Sequence, residues 1–111
     1  MDILNIQNAS KMECCKKAGL ISHILLNANI VGIGDINLTW VDIETGKSQP
    51  PHSHDNGQVY VIIKGGGIMT IENETMDVPA GTRIIIPKGK THGIKNESIE
   101  VLSYLTISAK E

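Results

Sequence analysis

The chain has 111 residues, a formal net charge of −2 and 41% hydrophobic residues. That length suits one domain with one modest core, and the composition is that of a folded chain. With no Phe, one Trp and two Tyr, and a slightly acidic balance, it offers neither stacking platforms nor a basic field for nucleic acid, nor attraction to an anionic membrane.

The N-terminus, Met1-Asp2-Ile3-Leu4-Asn5, has no basic segment followed by an apolar one, and no apolar run reaches membrane-spanning length. The expected location is therefore the cytoplasm. Cys14 and Cys15 are adjacent, and neighbouring cysteines bridge only with backbone strain, so they read as free thiols. Ser10-Lys11-Met12-Glu13 has the form of a capping box, which predicts one short helix over 11–18 with Gly19 just past its end.

From Leu20 the pattern is strands and turns. Leu20–Leu26 is apolar and β-rich, with His23 inside it as a structural histidine. Ile36–Ile43 alternates partly and carries Trp40, and Glu44-Thr45-Gly46 turns the chain. Gln58–Lys64 is a continuous strand, broken by Gly65-Gly66-Gly67. No Lys-Ser/Thr pair or helix start follows these glycines, so they read as a bulge or hairpin turn and not as a phosphate loop. Further strands are predicted at Ile68–Glu72, Thr75–Val78, Arg83–Ile86 and His92–Lys95. The last, Ile99–Ile107, places Ile99, Val101, Ser103, Leu105 and Ile107 on one face. Many short strands with Gly/Pro/Asn turns, and no strand–helix alternation, predict an all-β sandwich or barrel over residues 1–111.

The chemistry concentrates in two loops. His52 and His54 stand two apart behind Pro50-Pro51, and Gln58 opens the next strand. Alternate residues of a strand share a face, so both imidazoles can point inward at one strand end while Gln58 looks back at them. His92 follows the turn Pro87-Lys88-Gly89. Three neutral imidazoles and one oxygen suit a divalent transition metal: Zn, Ni, Mn, Fe, Co or Cu.

Gly46, His52, His54, Gln58 and Gly65 keep the spacing of the first motif of the cupin superfamily. Gly81, Pro87, Gly89, His92 and Asn96 keep that of the second. The chain closely resembles small single-domain cupins of the RmlC-like kind. The resemblance implies a jelly-roll β-barrel with a metal inside, paired as a homodimer through sheet extension by the N-terminal strands. It also implies His52, His54, Gln58 and His92 as the metal ligands, with Gln58 standing where the family usually has Glu.

That exchange alters the expected chemistry. An M²⁺ centre with three imidazoles and Gln carries a formal charge of about +2, against about +1 with Glu. The more positive centre is the stronger Lewis acid, favours anionic ligands and disfavours a rise in oxidation state. The expected function is a non-redox metal-dependent enzyme of isomerase or lyase type acting on a small anionic or sugar-derived molecule. The alternatives are a quercetinase-like dioxygenase and a non-catalytic small-molecule sensor. Pectin-degradation-type cupins are similar in size and motifs, but they carry an acidic residue on the last strand facing the metal, where Ser103 stands here. Tyr60, on the parity of Gln58, Arg83 as a carboxylate clamp, Ser103 and Trp40 complete the candidate substrate contacts; the catalytic residue itself is left open.

Overall fold

The computed structural model describes residues 1–12, 19–27, 29–30 and 33–109. After a short 3₁₀ turn at Ile6–Asn8, the chain forms β1 (Ser10–Lys11), β2 (Leu20–Leu26), β3 (Asn29–Ile30), β4 (Gly34–Ile43), β5 (Ser48–His52) and β6 (Gln58–Lys64). It continues through β7 (Gly66–Ile71), β8 (Glu74–Pro79), β9 (Arg83–Ile86), β10 (His92–Lys95) and β11 (Leu102–Ala109). No helix among the described residues is long and apolar enough to cross a membrane. The helix predicted over 11–18, and with it Cys14 and Cys15, falls largely outside the described residues. Ser10 and Lys11, at its expected start, instead pair as β1 with Ile24 and His23.

Two antiparallel sheets face each other. The larger runs β1-β2-β4-β11-β6-β9, with β3 paired to β4, and the smaller runs β5-β10-β7-β8. This is the jelly-roll arrangement expected from the sequence. The aliphatic core between the sheets is Leu20, Val41, Ile43, Ile62, Met69, Val78, Ile84, Ile86, Ile94 and Leu102, with Tyr60 and Tyr104 among them. The two tyrosine rings stack at 4.8 Å, which places the bulkiest inward side chains side by side at the centre of the large sheet.

Parity on β11 is the reverse of the expected one. Leu102 and Tyr104 face the core at 0% and 1% exposure, whereas Ile99 is 96% exposed. Ser103, Leu105 and Ile107 therefore lie on the outward face. Leu105 has Trp40 and Val61 as cross-strand neighbours, and Trp40 and Val61 are next to His23 and Arg83 in turn. His23, Trp40, Leu105, Val61 and Arg83 thus form one row across the outside of the large sheet.

Two features lock the corner that carries the site. Gly65 (φ +74) has its would-be Cβ 2.6 Å from the carbonyl oxygen of Val101, so any side chain there would push β11 away from the β6–β7 turn. Asn96 is completely buried. Its Nδ2 donates to the carbonyls of Ile43 (3.0 Å) and Glu100 (2.7 Å), and its Oδ1 accepts from the Ser98 amide (3.0 Å) and hydroxyl (2.8 Å). One amide side chain thereby ties the end of β4 to the β10–β11 turn.

Candidate metal centre

His52 ends β5 and His92 begins β10, and the two are direct partners in the ladder of the small sheet. The register of that ladder shifts between His92 and Ile94, and Gly93 lies in the shift. A Cβ on Gly93 would sit 3.0 Å from the Gln49 carbonyl oxygen and 3.1 Å from the Pro51 nitrogen. The absence of a side chain there lets β5 close on β10 and sets the two imidazoles together. His54 follows in the β5–β6 loop. Its carbonyl accepts from the Gly89 amide at 2.7 Å, which straps that loop to the one leading into β10.

The three rings form a compact group, with centroids 4.3 Å apart for His52 and His92, 4.7 Å for His52 and His54, and 5.4 Å for His54 and His92. One ring nitrogen from each lies within 4.8 Å of the others. In a tetrahedral site with bonds of about 2.0–2.1 Å, ligand nitrogens are roughly 3.4 Å apart, so small side-chain rotations close the set. Backbone carbonyls fix the tautomers. His52 Nδ1–H donates to Pro50 O and His92 Nδ1–H donates to Lys90 O, both at 2.9 Å. A carbonyl only accepts, so the proton is on Nδ1 and the Nε2 lone pair is the free one on each ring.

Burial holds the His54 imidazole below its ordinary pKa, reinforced by the neighbouring His52 and opposed by Asp55. Burial also lowers His92, with His52 and His54 adding to it against the Lys90 carbonyl. These rings are therefore neutral at neutral pH, the state in which imidazole ligates.

Whether the residues fit a metal is decided by the atoms left over. His92 Nε2 and Gln58 Oε1 are buried without a hydrogen-bond partner among the described residues. A buried polar atom of this kind costs free energy unless something meets it. Gln58 starts β6 on the inward parity of Tyr60, whose ring lies 5.9 Å from that of His92. Three imidazoles with ring nitrogens gathered together, one of them a buried lone pair not spent on the protein, are donors of the kind a divalent transition ion takes, and the unpartnered Gln58 amide oxygen is of the type that could join them. The residues fit the group.

The other expected contacts divide. Tyr60 is 3% exposed beside His92, and burial raises its phenol well above the ordinary range, so it remains a neutral hydroxyl. Trp40, Ser103 and Arg83 do not reach this side. Placing them at the metal is corrected by parity, since all three stand on the outward face of the large sheet, and Arg83 is exposed. Trp40 and Ser103 instead serve Asp42, a residue the sequence reading passed over. Asp42 Oδ1 accepts from Trp40 Nε1 at 2.9 Å and from Ser103 Oγ at 2.6 Å, while Oδ2 accepts from His23 Nε2 at 3.1 Å. The available signal was an acid two residues from Trp40, near the end of β4. Ser and His both bond to Asp and not to each other, so the group is no nucleophilic triad.

Two sheets in jelly-roll order, with three histidines gathered at one end of the barrel, define a class of protein. The chain belongs to the cupin family: the family model for the cupin domain (Cupin_2) matches residues 39–108. It is 33% identical over 81 residues to the uncharacterized protein MJ1618 of Methanocaldococcus jannaschii, a match covering 72% of this chain and 65% of that one. The chain thus spans less than two thirds of that relative. Among solved structures it is similar to a predicted oxalate decarboxylase from Thermotoga maritima, with a TM-score of 0.86 at 16% identity, covering 99% of this chain and all of the other. It is also similar to the polyketide cyclase RemF from Streptomyces resistomycificus, with a TM-score of 0.82 at 21% identity, covering 100% of this chain and 80% of that one. At such identities the likeness is one of fold.

Proposed function

We propose that the chain is a metal-dependent cupin enzyme of non-redox type, with His52, His54, Gln58 and His92 holding one divalent transition ion. The observation that carries this is the gathering of His52, His54 and His92, with His92 Nε2 buried and unpartnered, and the buried, unpartnered Gln58 Oε1 on the inward parity of Tyr60 supports the fourth ligand. The ion would supply Lewis acidity toward a small anionic or sugar-derived molecule. The chain's own residues do the rest. Pro50 and Lys90 carbonyls orient the imidazoles, Gln58 contributes oxygen without charge, and Tyr60 presents a neutral hydroxyl. Gln cannot act as a general base, so Gln58 holds no proton in exchange with substrate. The reading includes a homodimer, supported by the half-buried apolar side chains Leu38, Trp40, Val61, Leu105 and Ile107 on the outside of the large sheet.

Elemental analysis of protein purified without added metal should find about one transition ion per chain. Gln58→Ala should bind that ion on the order of 10- to 100-fold more weakly. Metal content unchanged after dialysis of the variant would remove Gln58 from the ligand set. Oxygen uptake with flavonol or diketone substrates would replace the non-redox reading with a dioxygenase.

A further inference from the structure

The inward face of the large sheet changes character toward the histidines. The row at the far end is wholly apolar, Leu20, Ile43 and Leu102, and the next is mixed, with Val41 and Ile62 beside the hydroxyl-bearing Ser22 and Tyr104. The next row pairs Thr39 with Thr106 and Thr106 with Tyr60. The row after it pairs Asn37 with Ser108 and Ser108 with Gln58. Parity is continuous along β4 and β11, so Asn37 and Thr39 share the face of Val41 and Ile43, and Thr106 and Ser108 share that of Leu102 and Tyr104.

Six neighbouring inward positions thus carry amides or hydroxyls, and none carries a charge. Asn37, Thr39, Thr106 and Ser108 are half-buried, and among the described residues their side chains are not used in hydrogen bonds with one another or with the core. Val would fill the space of Thr and pack better. A hydroxyl on the core-facing parity of a strand is a local cost with no return in folding. The patch spans two rows about 6.7 Å apart and three strands about 4.8 Å apart. An extended chain of five or six carbons fits that length.

We infer that this ladder, Asn37, Thr39, Thr106 and Ser108 with Tyr60, is the substrate-recognising wall, and that it selects a small acid with one carboxylate and a polyhydroxylated tail. The inference rests on the metal-centre reading, because the carboxylate goes to the ion, whose formal charge Gln58 leaves uncompensated. The tail lies along the ladder. Each hydroxyl there both donates and accepts, which matches the vicinal hydroxyls of a polyhydroxy acid and rewards neither an alkyl chain nor a second charge.

The test uses three six-carbon probes on the metal-loaded full chain by titration calorimetry. D-gluconate has both features, hexanoate has the carboxylate alone, and D-sorbitol has the hydroxyls alone. Gluconate should bind at least about tenfold more tightly than either of the others. Thr39→Val together with Thr106→Val, which keeps shape and removes two hydroxyls, should lower gluconate affinity about tenfold. The same variant should leave hexanoate affinity and metal stoichiometry unchanged, and its melting temperature should equal or exceed that of the wild type. Equal binding of gluconate and hexanoate, or wild-type gluconate affinity in the double variant, would overturn the ladder. Failure of the metal reading has a different signature: a chain that takes up no metal and binds gluconate and sorbitol alike.

Discussion

Two polar clusters sit on opposite faces of this barrel, and they answer burial in opposite ways. On the outside, Asp42 gathers Trp40, Ser103 and His23, and its carboxylate is spent on three protein donors. On the inside, His52, His54 and His92 turn their backs to the protein. Each Nδ1–H of His52 and His92 is spent on a carbonyl, while His92 Nε2 and Gln58 Oε1 are left with no partner. Both clusters contain buried imidazoles, so histidine burial alone does not mark a site. His23 Nδ1 is also buried without a partner, so a lone unpartnered nitrogen does not mark a site either. The difference is that the outer group holds one imidazole, tied through Nε2 to Asp42, whereas the inner one gathers ring nitrogens from three imidazoles within 4.8 Å of one another, an arrangement whose cost a ligand offsets.

The largest effect expected from this contrast is at the inner cluster. His54→Ala should lower metal affinity by at least about 100-fold while far-ultraviolet circular dichroism and the metal-free melting temperature stay near wild type, because His54 lies in a loop and bonds no strand by its side chain. A large loss of metal-free stability would show that the inner cluster is structural as well.

Next is the outer cluster. Asp42→Ala removes one acceptor from three donors at once, two of which, His23 and Ser103, are over nine-tenths buried. It should cost about 2–3 kcal/mol in chemical denaturation, with metal stoichiometry unaffected. Metal loss in this variant would mean that the two faces are coupled through β4 and β11.

The smallest effect is a pH dependence of the metal-free protein. The His54 and His92 pKa values are lowered in the folded state from 6.5, mainly by burial. Near and below that value the unfolded chain binds protons that the folded one resists, so stability is fully present above about pH 6.5 and is lost as pH falls through the window below it. Thermal melts between pH 8 and 5 should show this decline. Bound metal should delay it, because acid must first displace the ion. The same decline, undelayed by metal, would place its origin outside the inner cluster.

Much of the inner cluster was legible in the sequence. Histidines two apart behind Pro50-Pro51, and His92 behind Pro87-Lys88-Gly89, carry their spacing openly, since strand parity and turn residues act over a few positions. Asn96 was legible as a motif residue, but its work at Ile43 and Glu100 was not, because both partners are set by tertiary contact. The outer cluster and the hydroxyl ladder were hidden for one reason. β4 and β11 carry large apolar side chains on both faces, so period-two alternation shows two sides without saying which is in. Ile99, Val101, Leu105 and Ile107 looked like a core stripe, yet the core took Leu102 and Tyr104. One residue of register moved Trp40 and Ser103 away from the metal side and brought Thr39 and Thr106 toward it.

By itself, then, the sequence determined an all-β chain of cupin type and the identity of the three gathered histidines. Local spacing, turn chemistry and ligand type are sufficient for that. The tertiary structure decided which face of each strand points into the barrel, that Asp42 holds Trp40, Ser103 and His23 together, and that His92 Nε2 and Gln58 Oε1 are buried without a partner. Those outcomes depend on which sheet covers which, a choice made by packing between residues far apart in the chain.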